Sequence, residues 1–200
     1  MNKVIKLHGC SGSGKTTVAR ALMLSANQVN EITPEDLPDG KPNSSKKPEA
    51  YLALLPEYDV PVAVLGSYKN NCGGMDSYSS DSQHIIKLID FYRSQEVHVL
   101  FEGLLLSTYF GAVGKYMEGL GDSAIFAFMN TPILTCLERV THRRDVNQSK
   151  NKFNPQNTID KFNTIEHLKN KCKANGRRVV DIEFDKDPVP QLKKLYLDAS

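Results

Sequence analysis

A chain of 200 residues that is 40% hydrophobic and 24% charged can bury one sizeable core, which excludes fibrous, collagen-like and wholly disordered classes. Its formal net charge of +2 is unevenly spread: residues 139–178 hold eleven Lys or Arg against Asp145, Asp160 and Glu166, a net +8, and the remainder carries fourteen positive against twenty negative side chains, a net −6. A basic block of this kind is either a nucleic-acid surface or a solvated helical face joined to a lid. No stretch approaches the roughly 20 apolar residues of a membrane span. The start, MNKVIKLHGC, is too short in apolar residues for a signal peptide and runs into a glycine-rich motif. Cys10, Cys72, Cys136 and Cys172 have neither metal-ligand nor CxxC spacing, so free thiols in a reducing cytoplasm are expected. No membrane partner is expected, and the oligomeric state is open.

In chain order, the run VIKLH at 4–8 reads as a strand, and a helix follows from Lys15 to about Ala26. Residues 31–49 hold Pro34, Pro38, Pro42 and Pro48 with Lys41, Lys46 and Lys47; they form an irregular insertion, either a substrate cover or a surface loop. A second strand is expected at 60–66, then a polar loop, GSYKNNCGGMDSYSSD. The helix after Ser80 has Gln83 three residues on, a capping-box spacing, and Ile85, Leu88, Ile89 and Tyr92 on one face. Strands follow at 97–102 and 124–129, whose near-continuous hydrophobicity suits strands covered on both faces. A helix opens at Pro132 and runs through CLERVTHRR. Another opens at Asn154-Pro155, stops near Gly176, and carries Ile159, Phe162, Ile165, Leu168 and Cys172 on one stripe. A last strand is expected at 178–184. This alternation predicts an α/β fold, a five-stranded parallel sheet with helices on both faces, in a single domain over 1–200.

Gly9, Cys10, Ser11, Gly12, Ser13, Gly14, Lys15 and Thr16 fit G-x-x-x-x-G-K-[ST] without a gap, between a strand and a helix. Such a P-loop wraps phosphates with backbone N–H groups at a helix N-terminus, Thr17 completing the first turn. Lys15 is expected to reach the β- and γ-phosphates of ATP, and the Thr16 hydroxyl to ligate Mg²⁺. Glu102 closes an apolar strand at its carboxyl end, where ligands of parallel sheets sit. It either holds a water on Mg²⁺, or helps orient the acceptor, or turns to solvent. Arg139 and Arg143 share a helix face at i, i+4. With Arg144 nearby, they clamp the transferring phosphoryl group, stack on the ATP base, or form a basic surface. In the polar loop, Gly73-Gly74 permits close backbone approach and Tyr68 or Tyr78 offers a stacking ring. Asp76 is the candidate base for an attacking hydroxyl, or else a carboxylate near a helix start.

GCSGSGKTT, the strand-end FEG and the arginines of CLERVTHRR together resemble the nucleotide kinase branch of P-loop proteins, the thymidylate and adenylate kinase-like enzymes. That resemblance implies a P-loop nucleotide kinase fold with strand order 2-3-1-4-5, a lid over 139–154, and FDKDP near the adenine. No DR[YFH] motif follows the third strand; FEG stands there instead. The segments LGSYKNNCGGMD and VLFEGLLLSTYFG are similar to the phage P-loop kinases that phosphorylate 5-hydroxymethyluracil within DNA, giving 5-phosphomethyldeoxyuridine on the way to hypermodified thymidines. The expectation is therefore an Mg²⁺- and ATP-dependent kinase with a hydroxyl acceptor on a modified pyrimidine in DNA, working in the host cytoplasm if the chain is viral. A free deoxynucleoside monophosphate kinase is the first alternative. A P-loop ATPase or nucleotide-dependent switch is the second, although the chain has no N-K-x-D run and no hydrophobic run ending in Asp-Glu.

Overall fold

The computed structural model describes residues 2–37, 48–56, 60–69, 73–76, 81–103, 106, 111–148 and 153–197. Seven strands form one sheet: β1 (Val4–His8), β2 (Gln28–Ile32), β3 (Ala50–Leu54), β4 (Val62–Leu65), β5 (His98–Glu102), β6 (Ala124–Asn130) and β7 (Val179–Glu183). Among the described residues six α-helices surround it: α1 (Lys15–Leu24), α2 (Ser82–Ser94), α3 (Gly111–Gly119), α4 (Ile133–Val146), α5 (Pro155–Ala174) and α6 (Pro188–Leu197). The order is β2-β3-β4-β5-β1-β6-β7. The expected five-stranded sheet in the order 2-3-1-4-5 is therefore corrected: the sheet has seven strands and is mixed. β4, β5, β1, β6 and β7 pair in parallel, whereas β2 and β3 pair antiparallel with each other, and β3 antiparallel with β4.

β1 is the middle of the five parallel strands, and all five of its residues are buried. Alternate side chains feed two cores. Ile5 and Leu7 meet Val18, Ala19 and Leu22 of α1 and Leu192, Leu195 and Tyr196 of α6. Val4 lies in the opposite core with Phe126 and Phe128 of β6, Ile85, Leu88 and Ile89 of α2, Met117 of α3 and Ile165, Leu168 and Cys172 of α5. Both faces are thus covered, which explains why β4, β5 and most of β6 read as uninterrupted apolar runs.

The helix boundaries follow local chemistry. Asp81 caps α2, its Oδ1 accepting from the His84 backbone N–H at 2.9 Å; Ser80, the first residue of the expected capping box, lies outside the described residues. Pro132 is the N-cap of α4 rather than its first helical residue. Asn154 caps α5 through the Gln156 N–H at 3.0 Å, with Pro155 in the first turn. In the 31–49 segment, Glu31 and Ile32 complete β2, Pro34–Asp36 form a 3-10 turn, and 38–47 lie outside the described residues.

One residue of β1 works against the core. Lys6 is 1% exposed, and its Nζ has no hydrogen-bond partner. Burial pushes its pKa down from the ordinary lysine value of 10.5 to about 8, with Cys172 opposing. Between those two pH values the unfolded chain binds more protons than the folded one, so stability rises with pH there; below about 8 the full penalty applies. Lys6→Met should therefore stabilise the protein at neutral pH by something on the order of 3 kcal/mol. The advantage should shrink as pH climbs towards the unfolded-state value. Urea unfolding of both proteins at about pH 7 and about pH 10 measures this.

Candidate active site

The P-loop leaves the carboxyl end of β1 and enters α1. Gly12 has φ +80°, and a Cβ there would lie 2.3 Å from the Cys136 carbonyl oxygen of α4, so only glycine fits. Gly14 caps α1 in the left-handed region, and Val18 N–H bonds its carbonyl at 2.9 Å. Lys15 Nζ donates to the carbonyls of Gly9 at 2.7 Å and Cys10 at 3.2 Å. Thr131, just past β6, anchors the loop from the far side, its Oγ1 donating to Ser13 O at 2.8 Å. Ser13 Oγ is buried without a hydrogen-bond partner.

Register fixes the next contact. Leu7 of β1 pairs with Glu102 of β5, so the carboxylate stands beside the start of α1. Thr16 Oγ1 donates to Glu102 Oε1 at 2.8 Å, and Glu102 is 2% exposed. Burial raises the Glu102 pKa, while Lys15 and the Thr16 hydrogen bond oppose the rise. Burial likewise lowers that of Lys15, chiefly opposed by Glu102. The two opposite charges attract through space, each offsetting part of the other's desolvation, while Lys15 Nζ itself is held by the Gly9 and Cys10 carbonyls.

The loop after β4 folds over this carboxylate. Met75 N–H bonds Glu102 O at 2.8 Å, and Ser67 and Gly74 form a β-bridge. Gly74 has φ +90°, and a Cβ there would lie 2.6 Å from both Glu102 O and Oε1. Asp76 Oδ1 comes close to Gly103, 2.9 Å from where a Cβ would be. Tyr68 does not offer a stacking face. It is 6% exposed, packed edge-on against Tyr51 at 5.8 Å and against Gly73. Its ring completes the core where the strand ends, which corrects its expected role as a base platform; Tyr78 lies outside the described residues.

A cleft of about 620 Å³ joins these parts. It is lined by the loop from Cys10 to Thr17, by Asp76 and Glu102, by Arg139 and Arg143 of α4, and by Phe184, Lys186 and Pro188 after β7. The structure therefore brings Lys15, Thr16, Asp76, Glu102, Arg139 and Arg143 to one cleft. The Arg139 guanidinium lies 5.9 Å above the Phe184 ring, and its Nη1 donates to Gly12 O at 3.4 Å. Arg144 instead stacks over Phe153 at 5.8 Å. Three contributors were not singled out from sequence. Thr131 follows a strand end, Met129 packs against Gly9, and Arg20 donates to Tyr68 O at 2.7 Å. Only Arg20 left a signal, its i+4 spacing from Thr16 on α1.

A glycine-walled anion loop facing two carboxylates and two guanidinium groups is the setting of phosphoryl transfer. The sequence model of the 5-hmdU DNA kinase family matches residues 2–180. The chain belongs to that family. As a 5-hmdU DNA kinase family member it is a phosphotransferase. The 5-hmdU DNA kinase of Pseudomonas phage PaMx11 is 33% identical over 199 residues, 98% of each chain. That of Pseudomonas phage M6 is 28% identical over 193 residues, 92% of each. A solved gluconokinase from Sinorhizobium meliloti 1021 aligns with 97% of this chain and 89% of its own at 15% identity and a TM-score of 0.47, a likeness too loose to bear on the site. Among the described residues, no helix is long and apolar enough to cross a membrane.

Gly74→Ala tests the contact that seats Glu102. A methyl group on this positive-φ residue should push the carboxylate off Thr16 and destabilise the fold by about 1–3 kcal/mol, read by urea unfolding. An unchanged midpoint would show that the loop does not pack on Glu102 as described.

Proposed function

We propose that this chain transfers the γ-phosphoryl group of ATP to the hydroxymethyl oxygen of 5-hydroxymethyluracil within DNA, giving 5-phosphomethyldeoxyuridine. One observation carries the reading. In a member of the 5-hmdU DNA kinase family, the P-loop, the carboxylates and the α4 arginines line a single cleft. Lys15 neutralises the phosphates of ATP bound along residues 9–17. Asp76 receives the proton of the attacking hydroxyl. Arg139, with Arg143 one turn on, carries charge that develops on the transferred group, and segment 139–154 acts as the lid. Phe184, whose ring lies under the Arg139 guanidinium, would sit beside the adenine. Catalysis then rests on positioning and on fixed charge. The reaction is placed in the cytoplasm of an infected host.

Mg²⁺ fits the residues present. Thr16 Oγ1 and Glu102 Oε1 are oxygen donors 2.8 Å apart at the mouth of the phosphate loop. Mg²⁺ takes few protein ligands and completes its shell with water and substrate phosphates. Bound there, it would offset charge on the β- and γ-phosphates. Glu102→Gln keeps the shape but removes the charge, so turnover should fall and the Mg²⁺ concentration for half-maximal activity should rise. A mutant with wild-type metal dependence would remove Glu102 from this role.

One observation favours the free-nucleotide alternative. Three of the eleven basic side chains of the block are already paired: Lys169 and Lys173 with Asp181, and Arg177 with Glu118. The deciding assay is label transfer from γ-labelled ATP to hydroxymethyluracil DNA, to unmodified DNA and to free deoxynucleotides. Only the first should be labelled, and Lys15→Ala should abolish labelling without unfolding the protein. DNA binding should weaken with salt at a logarithmic slope of about −3 or steeper. Reversing the exposed Lys171 and Lys173 together should flatten that slope and leave ATP affinity intact. Efficient labelling of a free nucleotide, with no salt-sensitive DNA binding, would install the alternative.

A further inference from the structure

We propose that Arg20 of α1 is a positioning residue that fastens the loop carrying Asp76 to the phosphate-loop helix, and so sets how the attacking hydroxyl meets the phosphates of ATP. Arg20 follows Thr16 by one turn on the same face of α1. Its Nη2 donates to the Tyr68 carbonyl at 2.7 Å. Tyr68 belongs to the loop after β4, upstream of Asp76. Arg20 is not among the residues that line the cleft, so its effect on the reaction passes through Tyr68.

The bond answers a need created by the fold. β4 ends at Leu65, and Gly66 N–H still finds Glu49 O at 2.7 Å. Two residues further on, Tyr68 has left the ladder, and its buried backbone groups require other partners. Its N–H donates to the Tyr51 hydroxyl at 3.3 Å, and its carbonyl accepts from Arg20. The carbonyl bond is the shorter of the two and is charge-assisted, so it holds the residue more firmly. The Tyr68 hydroxyl adds no anchor, being buried without a hydrogen-bond partner. The Arg20 charge is felt at the cleft as well. Burial raises the Glu102 pKa, and Arg20 opposes that rise behind Lys15 and the Thr16 hydrogen bond.

The anchored residue carries the rest of the loop. A Cβ on Gly73 would lie 2.6 Å from Tyr68 Cδ1, so the ring is the surface on which the returning arm rests. Ser67 and Gly74 close the neck with paired backbone bonds at 3.3 and 3.0 Å. Met75 N–H then bonds Glu102 O at 2.8 Å, and Asp76 follows. Gly74 packs on the Glu102 carboxylate, which Thr16 holds at 2.8 Å. The helix thus grips the loop twice, through Thr16 and Glu102 in its first turn and through Arg20 one turn on. ATP phosphates on the proposed reading bind at that same first turn, so one helix aligns donor and acceptor. Without Arg20 a buried carbonyl is stranded, and the loop is free to tilt about Glu102. The phosphate loop keeps anchors of its own, Thr131 on Ser13 O and Arg139 on Gly12 O.

The inference rests on the reading that Asp76 meets the acceptor. In the full-length protein, Arg20→Met keeps an unbranched side chain and removes the donor. Turnover on hydroxymethyluracil DNA should fall by about a hundredfold, the cost of small misplacements of reacting groups. ATP affinity, measured by direct titration, should stay at its wild-type value, whereas a purely structural role would lower both together. Arg20→Lys offers the carbonyl one charged donor on a shorter reach and should recover part of the turnover. Wild-type turnover in Arg20→Met, or ATP affinity lost in step with turnover, overturns the proposal. If Arg20→Met does not fold, Arg20→Lys decides: reduced turnover at unchanged ATP affinity supports the assignment, and wild-type turnover or a joint loss overturns it. Hydrogen exchange reads the positioning without any acceptor. The N–H groups of Ser67, Gly74 and Met75 should exchange faster in either variant, while Val18 N–H, bonded to Gly14 O at 2.9 Å, keeps its protection. Unchanged protection at all three overturns the proposal. If the wild-type protein labels no hydroxymethyluracil DNA, the acceptor reading fails, yet the exchange result still decides whether Arg20 seats the loop.

Discussion

The cleft depends on a buried charge pair. Lys15 and Glu102 both lie out of water, and neither is cheap to ionise alone. Each offsets part of the burial of the other, and Thr16 holds Glu102 in place by donating to it. The pairing of Leu7 with Glu102 is what makes this possible, because adjacent parallel strands end at the same edge of the sheet. The glycines then follow from the pair. Gly74 has to be glycine for the loop after β4 to seal Glu102 from solvent, and Gly12 has to be glycine for the P-loop to rest on α4. Phosphate charge entering this cleft would meet a lysine already desolvated, where electrostatic attraction is strongest.

What was legible from sequence was chemistry written in consecutive residues. The P-loop, its strand and its helix are encoded within a short stretch, and the apolar runs of β4, β5 and β6 need two covered faces to make sense. β2 and β3 were not legible. QVNEI is an exposed edge strand, stabilised in part by the Glu31–Lys69 ion pair at 2.9 Å, and it lacks the apolar alternation that marks a half-buried strand. AYLAL follows a proline-rich segment that masks its start. Tyr68 was misjudged because a tyrosine in a polar loop gives no hint that Tyr51, seventeen residues earlier, will pack against it. Arg20 was passed over because its partner, the Tyr68 carbonyl, is supplied only by the folded loop.

Charge counted along the chain also differs from charge available at the surface. The net +8 of residues 139–178 promised a continuous polyanion track. Folding sets Lys169 and Lys173 against Asp181 on the neighbouring strand, and Arg177 against Glu118 on α3. Acidic side chains outside the block therefore spend part of it on holding α5 to the sheet. Among the described residues of the block, those that stay exposed are Arg139 at the cleft and, on the last turn of α5, Lys171 and Lys173, the latter in loose contact with Asp181 at 4.0 Å.

That distribution bears on how a DNA acceptor would be read. Glu102 is sealed at the floor of the cleft, and Asp76 stands above it beside Gly103. A hydroxymethyl group that is to meet phosphorus over Lys15 must come down between them. On the proposed reading a base held in a duplex would have to be extruded to enter, at a cost of a few kcal/mol by the general behaviour of enzymes that act on a base. On that reading the cleft itself must supply the discrimination. The group that distinguishes hydroxymethyluracil from thymine is the attacking hydroxyl, and a carboxylate that hydrogen-bonds it rejects a methyl group more firmly than an apolar pocket could. Selection of the modified base and activation of its oxygen would then be one interaction, made at Asp76.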